Sequence, residues 1–205
     1  MTTLGVTGGI GSGKSALVAR LARHAGVRVI EADGLAKRLM AEDPEVRAAL
    51  VARFGAETFD AQGRLDRAGL AARVFADPAE LAALNAIVHP AVRRALAEAM
   101  RLAAADGVAV LVYEAALLFE TGGDAVVDQV VWVDAPVATR LARAAARDGV
   151  PEAAVRDRMR HQIDPETARQ RADRVVDNAG DRAALWAAAD QLAADLGAGP
   201  LTASA

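Results

Sequence analysis

The run Gly8-Gly9-Ile10-Gly11-Ser12-Gly13-Lys14-Ser15 constrains this chain more than any other stretch, because it fits G-x-x-x-x-G-K-[ST] at every fixed position. Leu4-Gly5-Val6-Thr7 before it suits a short buried strand, and the residues after it set Leu17, Val18 and Leu21 at helical spacing. Strand, glycine loop and helix are together the setting in which such a loop cradles phosphates. Glycines let backbone N–H groups converge on a polyphosphate with no Cβ in the way. The helix N-terminus adds partial positive charge. Lys14 has the reach for the β- and γ-phosphates, and the Ser15 hydroxyl is a ligand for Mg²⁺. A nucleoside triphosphate site is expected along the whole loop, Gly9, Gly11 and Ser12 included.

The choice of lysine is itself informative. Of 24 basic residues, Lys14 and Lys37 are the only lysines. A chain that otherwise uses arginine keeps a compact point charge in its loop where a planar fork would be a different donor.

At 205 residues there is room for one substantial core with appended subdomains. A net charge of -3 supplies no global basic field, so no nucleic-acid partner is expected. No apolar run approaches the ~20 residues of a membrane span, and none is expected. The absence of cysteine excludes disulfides, zinc thiolates and thiol catalysis. With no basic-then-apolar leader pattern at its start, the chain is expected to be cytoplasmic.

Further along, apolar segments at 27–32, 108–113, 129–133 and 174–178 read as strands alternating with helical stretches. That alternation predicts an α/β fold, a five-stranded parallel sheet wound by helices. Residues 35–105 are helical in pattern and too long for a plain crossover, so they read as an inserted helical subdomain. Within it, one helix is expected from Asp77-Pro78 and a separate one from His89-Pro90. Gly197 to Ala205 has tail composition and is expected to fray.

Asp33, Glu114 and Asp134 each follow a predicted strand, which gathers them on one rim of the sheet. Asp33 and Glu114 follow the strands expected to flank the loop. Asp134, just before Pro136, is explained by helix N-capping. Arg140, Arg143 and Arg147 recur at helical spacing and end beside Gly149. Such a row is either a solvated face or a lid that closes over phosphates.

These pieces together resemble the dephospho-coenzyme A kinases. The resemblance rests on Thr7 to Ser15, Asp33 in Glu31-Ala32-Asp33, Asp66-Arg67, Ile87-Val88-His89-Pro90, Leu117-Leu118-Phe119-Glu120, Arg147-Asp148-Gly149 and Gln162…Ala172-Asp173…Val176-Asp177-Asn178. It runs collinearly from about residue 3 to 195. It implies a three-layer P-loop fold with a nucleotide-binding core at 1–34, 106–146 and 172–197. The helical acceptor-substrate region would be 35–105, the lid 147–171 and the tail 198–205. The activity implied is transfer of the ATP γ-phosphoryl to the ribose 3′-hydroxyl of dephospho-CoA, with ATP as co-substrate and Mg²⁺ as the metal. Gly11 to Ala16 would hold the ATP phosphates and Asp33 would meet the acceptor hydroxyl. Arg140, Arg143 and Arg147 would belong to the lid side, Arg147 with a catalytic part, and Asn178 would lie near the adenine. The chain departs from the family pattern at Ala16, usually Thr, and at Ala116, usually Pro. It departs again at Glu114, often Asp, and at Ala168, usually Lys or Arg.

Other triphosphate chemistries fit less well. Asp60-Ala61-Gln62-Gly63 spells the D-x-x-G of a GTPase switch, but no hydrophobic strand precedes it and neither lysine follows an Asn. A kinase for another small hydroxyl compound, or a regulatory P-loop NTPase, are the alternatives.

Overall fold

Five apolar segments pair in parallel: β1 (Thr2–Gly8), β2 (Val27–Glu31), β3 (Val110–Glu114), β4 (Gln129–Asp134) and β5 (Arg174–Asp177). Their order in the sheet is β2-β3-β1-β4-β5. The computed structural model describes residues 1–202. The three inner strands are buried on both faces, as strands covered on both sides must be; Leu4, Val6, Leu111, Val112, Val131 and Val133 are all fully buried, and the second face of β1 carries Thr3, Gly5 and Thr7. The order corrects one expectation. β3 and β4 flank β1, so Glu114 and Asp134 end the flanking strands, whereas β2, which precedes Asp33, lies outside β3.

Among the described residues the chain divides into two compact units, Ala32–Ala99 and the remainder on either side of it. In the sheet-bearing unit, α1 (Lys14–Leu21) and α9 (Arg182–Asp195) cover one side of the sheet. Leu17, Val18 and Leu21 of α1 and Leu185, Ala189 and Leu192 of α9 pack on Leu4, Val6, Val110, Val112, Val131 and Val133. Truncating one such leucine to alanine costs roughly 2–5 kcal/mol. α6 (Val137–Asp148) and α7 (Glu152–Met159) share a smaller core of Leu141, Ala144 and Val155, against which Ile10 of the loop also packs.

The residues from 147 to 171, expected as the lid, carry α7 and a second short helix. α8 (Pro165–Arg171) starts on Asp164, whose carboxylate accepts from Thr167 N–H at 2.9 Å, with Pro165 in the first turn.

The tail expected to fray is instead tied down as far as it is described. Gly199 N–H donates to the Ala25 carbonyl at 2.8 Å, Ala25 N–H to Pro200 at 3.0 Å and Thr202 N–H to Arg23 at 2.8 Å. His24 anchors it, with Nδ1 3.0 Å from the Gly199 carbonyl and Nε2 3.0 Å from Asp190 Oδ1. Residues 203–205 of that tail lie outside the described residues.

The second unit is mainly helical, with α2 (Ala32–Glu42), α3 (Pro44–Phe54), α4 (Arg67–Ala76) and most of α5, which begins at Pro78. Val46, Leu50 and Phe54 meet Leu70, Val74 and Ala91 in its core. Asp43 and Asp66 cap α3 and α4 by accepting from Val46 and Gly69 N–H, each at 3.0 Å. The D-x-x-G quartet is a tight turn, with Gly63 N–H on the Asp60 carbonyl at 2.8 Å. The helix break expected at His89-Pro90 does not occur, since α5 runs unbroken from Pro78 to Ala105. An interior proline costs about 3 kcal/mol; Val88, Ala91, Val92 and Leu96, buried on both sides of it, offset that cost. His89 is thus a mid-helix residue, and burial and Arg93 hold its imidazole pKa below the ordinary value. Among the described residues no helix is long and apolar enough to cross a membrane.

Candidate active site

β1 ends at Gly8 and the chain turns through Gly9–Gly13 into α1. Gly11 and Gly13 carry φ of 77° and 97°, a region side chains disfavour. Both also lie against neighbours: a Cβ on Gly11 would strike the Arg140 carbonyl, and one on Gly13 the Asn178 amide. The N-cap of α1 is Gly13, and among the described residues no side chain caps it. A helix start without a side-chain cap leaves its positive end for an anion.

The loop is gripped from outside. Ile10 N–H donates to Gln162 Oε1 at 2.7 Å and the Ile10 carbonyl accepts from Arg140 Nε at 3.2 Å. The Ser12 carbonyl accepts from Asn178 Nδ2 at 2.7 Å. Lys14 Nζ curls back over the loop, donating to the carbonyls of Gly8 at 2.7 Å and Gly9 at 3.4 Å. Ser15 Oγ donates to Glu114 Oε1 at 3.1 Å across the β1–β3 pair. Ala16, in the first turn of α1, packs on the main core. Lysine, serine and a strand-end carboxylate are therefore assembled at the carboxyl ends of the inner strands β1 and β3.

The three arginines of α6 do not share one partner. Arg140 is only 4% exposed, its guanidinium lying where a side chain on Gly9 would stand. Burial lowers its pKa and Asp134 acts in the opposite sense. Arg143 donates to the Asn178 carbonyl at 3.2 Å. Arg147 is exposed and forks onto Asp148 at 2.7 and 3.1 Å. Arg158 joins the same carboxylate at 2.7 Å, and the two arginines hold the Asp148 pKa far below the usual carboxylate range.

Asp134 is not the N-cap of α6; Pro136 occupies that position. Its carboxylate instead takes a fork from Arg169 at 2.7 and 2.9 Å and accepts from Trp132 Nε1 at 3.3 Å. Ala168 is fully buried, while Arg171 pairs with Asp124 at 2.6 Å and covers the Phe119 ring. Asp33 is exposed in the first turn of α2, two residues beyond the end of β2.

Two residues had no stated role in the sequence. Gln162 donates through Nε2 to the Ala116 carbonyl at 3.1 Å while holding Ile10, and Glu120 accepts from Ile163 N–H at 2.7 Å. Both stand in segments quoted for the family resemblance, but no spacing rule reveals partners up to 152 positions apart.

Comparison with known proteins gives the family. A family model described as dephospho-CoA kinase matches residues 2–183. A dephospho-CoA kinase of Salinibacter ruber is 51% identical over 180 residues, 88% of this chain and 90% of its own. One of Corynebacterium diphtheriae is 44% identical over 192 residues, 94% of this chain and 96% of its own. A crystal structure from Thermus thermophilus matches with a TM-score of 0.78 at 36% identity, covering 95% of this chain and 97% of that one. The dephospho-CoA kinase from Campylobacter jejuni shares the fold, with a TM-score of 0.72 at 24% identity over 95% and 96% of the two chains. Since the matched span takes in the phosphate loop, Glu114 and the arginines of α6 together, the chain belongs to the dephospho-CoA kinase family.

Proposed function

We propose that this protein phosphorylates the ribose 3′-hydroxyl of dephospho-CoA from ATP, giving coenzyme A and ADP. The observation that carries this reading is the loop of Gly8–Ser15, with Lys14 across its backbone and Ser15 on Glu114, in a chain of this family. Chemically, the acceptor oxygen forms a bond to the γ-phosphorus as the bond to the β-phosphate oxygen breaks. The hydroxyl proton passes to a carboxylate, and ADP departs.

We assign that carboxylate to Asp33, the first acidic side chain after β2, whose carboxyl end lies on the same rim as the phosphate loop. Lys14 would leave the loop carbonyls for the β- and γ-phosphates and stabilise the charge that develops on them. Arg147 would add positive charge from the α6–α7 side, and Arg140, Arg143 and Asn178 would complete the nucleotide side together with Gly8 through Ala16.

Mg²⁺ fits the donors present. Ser15 Oγ and Glu114 Oε1 stand 3.1 Å apart, a hydroxyl and a carboxylate, and Mg²⁺ takes oxygen ligands while keeping waters and phosphates for the rest of its shell. Ser15 and Glu114 would hold it. When bound it neutralises charge on the transferring phosphoryl. The same reading sets the enzyme in the cytoplasm.

An ATP-consumption assay against dephospho-CoA, AMP, CMP, shikimate and no acceptor tests the proposal. Turnover with dephospho-CoA is expected to exceed that with every other acceptor, and ³¹P NMR of the product is expected to show a 3′-phosphomonoester. Equal or faster turnover with another hydroxyl compound overturns it.

A further inference from the structure

Gln162 sits in the short connection between α7 and α8, half-buried, and its one carboxamide joins two segments of the nucleotide side. Oε1 accepts from Ile10 N–H, at the crown of the phosphate loop, at 2.7 Å. Nε2 donates to the carbonyl of Ala116, two residues beyond Glu114, at 3.1 Å. The amide orientation follows from its partners, because a flipped group would face an N–H with a donor and a carbonyl with an acceptor. The departure from proline at Ala116 costs this contact nothing, since only the carbonyl is used.

The neighbourhood strengthens the attachment. Ile163 N–H donates to Glu120 Oε1 at 2.7 Å, so two successive residues of the α7–α8 connection hold the segment after β3. The Ile10 carbonyl is held by Arg140 Nε at 3.2 Å, and the Ile10 side chain packs in the α6–α7 core. Ile10 is thus fixed at its N–H, its carbonyl and its side chain, each time by the segment that follows β4. A movement of α7 and α8 must carry the loop along or break these bonds.

We infer that Gln162 is a positioning residue for phosphoryl transfer: it couples the α7–α8 connection to the shape of the phosphate loop and fixes that loop relative to the Glu114 segment. This rests on the reading that the loop holds the ATP phosphates. The role needs an acceptor and a donor at opposite edges of one side chain. Leucine of similar size offers neither. Glutamate offers the acceptor, and offers the donor as well only when protonated.

The test uses the full chain with Gln162→Leu, Gln162→Glu and, as a control on the loop, Lys14→Ala. Steady-state kinetics are measured over a pH series, well below each variant's melting temperature. Gln162→Leu is expected to lower kcat about tenfold or more while KM for ATP rises by less, because a misaligned loop loses more in the transition state than in the ground state. Gln162→Glu, which keeps the size and the acceptor, is expected to fall between. Its activity relative to the parent should rise as pH falls and its carboxyl gains a proton, while the Gln162→Leu ratio stays flat. Parental kcat in both variants overturns the coupling, whatever happens to melting temperature. So does a Gln162→Glu variant that matches the parent at every pH while Gln162→Leu does not, since the donor to the Ala116 carbonyl would then be dispensable and nothing would tie the two segments through this side chain. If Lys14→Ala keeps parental activity, the phosphate reading itself falls. If Lys14→Ala is inactive and the Gln162 variants are parental, that reading stands and only the coupling is lost.

Discussion

Lys14 Nζ donates to the carbonyl of Gly8 at 2.7 Å, so the loop's lysine spans the backbone six residues before it. An ammonium has three donors and no acceptor. Held there it covers the carbonyls of Gly8 and Gly9, which it would leave for a phosphate oxygen under the proposed function.

Lys14→Ala is expected to leave the fold intact and to cut turnover by roughly three orders of magnitude, the scale expected when a charge on the transferring phosphoryl is lost. Circular dichroism establishes the fold and initial rates the loss. A folded variant turning over near the parental rate would show that the loop does not stabilise the reacting phosphate.

Asp33→Asn is nearly isosteric and keeps an acceptor oxygen but removes charge and basicity. Phosphoryl transfer is expected to collapse while ATP still binds, because a base acts on the acceptor hydroxyl and not on the nucleotide. Calorimetric ATP affinity separates the roles. If it falls as far as turnover does, Asp33 serves the metal side and not the acceptor.

How much of this was legible in the sequence depends on how local each cause is. The phosphate loop is legible because its strand, glycines, lysine and serine are contiguous and each has a local reason. The sheet is legible because β3 and β4 are near-continuous apolar runs and β1 carries Leu4 and Val6 just before the glycine loop. Strand order is not, because β2 joins β3 through backbone bonds that carry no residue code, which is why Asp33 was expected beside β1. Pro90 reads as a break from local propensity, and burial of Val88, Ala91 and Val92 around it overrides that. α8, inside the stretch expected as the lid, has its own local signal in Asp164-Pro165, an N-cap followed by a first-turn proline. The α6 arginines announce a helix, but whether each meets Ile10, Asn178 or Asp148 is a matter of tertiary placement.

Asp190 makes stability depend on acidity. Arg20 donates to it at 2.6 and 2.7 Å and His24 lies 3.0 Å away, which lowers its pKa from 3.8 to about 2, the Arg20 bond being the largest cause. A carboxylate with a depressed folded pKa stabilises the fold above its unfolded pKa, and that contribution disappears as pH falls through the folded value. The loss should therefore fall between about pH 4 and pH 2, the interval set by those two values. With the side chain 34% exposed, solvent screening limits the contribution to about 1 kcal/mol. Asp190→Asn is expected to lower the melting temperature at neutral pH by about 2–4 °C and to flatten its dependence on pH within that window. An unchanged acid profile in the variant would assign the acid sensitivity to other carboxylates.

Arg140 and Arg147 stand seven residues apart on α6, yet their surroundings set them different tests. Arg140 is buried with Nε on the Ile10 carbonyl, so Arg140→Ala removes that donor and opens a void over Gly9. A lower melting temperature is expected together with a fall in kcat, and lysine should not restore either, because a point charge cannot reproduce a planar group laid over a glycine. Arg147 is 64% exposed and, among the described residues, tied to the adjacent Asp148, which also holds Arg158. Its removal should barely change melting, since Arg158 still holds Asp148 and many exposed pairs contribute only a few tenths of a kcal/mol. If Arg147 leaves Asp148 for the transferring phosphoryl, Arg147→Ala lowers kcat about tenfold and raises KM for ATP by less, because the contact forms mainly in the closed state. Asp148 stays charged far into the acid range, so the pH profile of that effect should be flat near neutrality. We expect this split: Arg140→Ala changes stability and rate together, and Arg147→Ala changes rate alone. An Arg147→Ala variant with both constants within about twofold of the parent would return that arginine to the solvated surface.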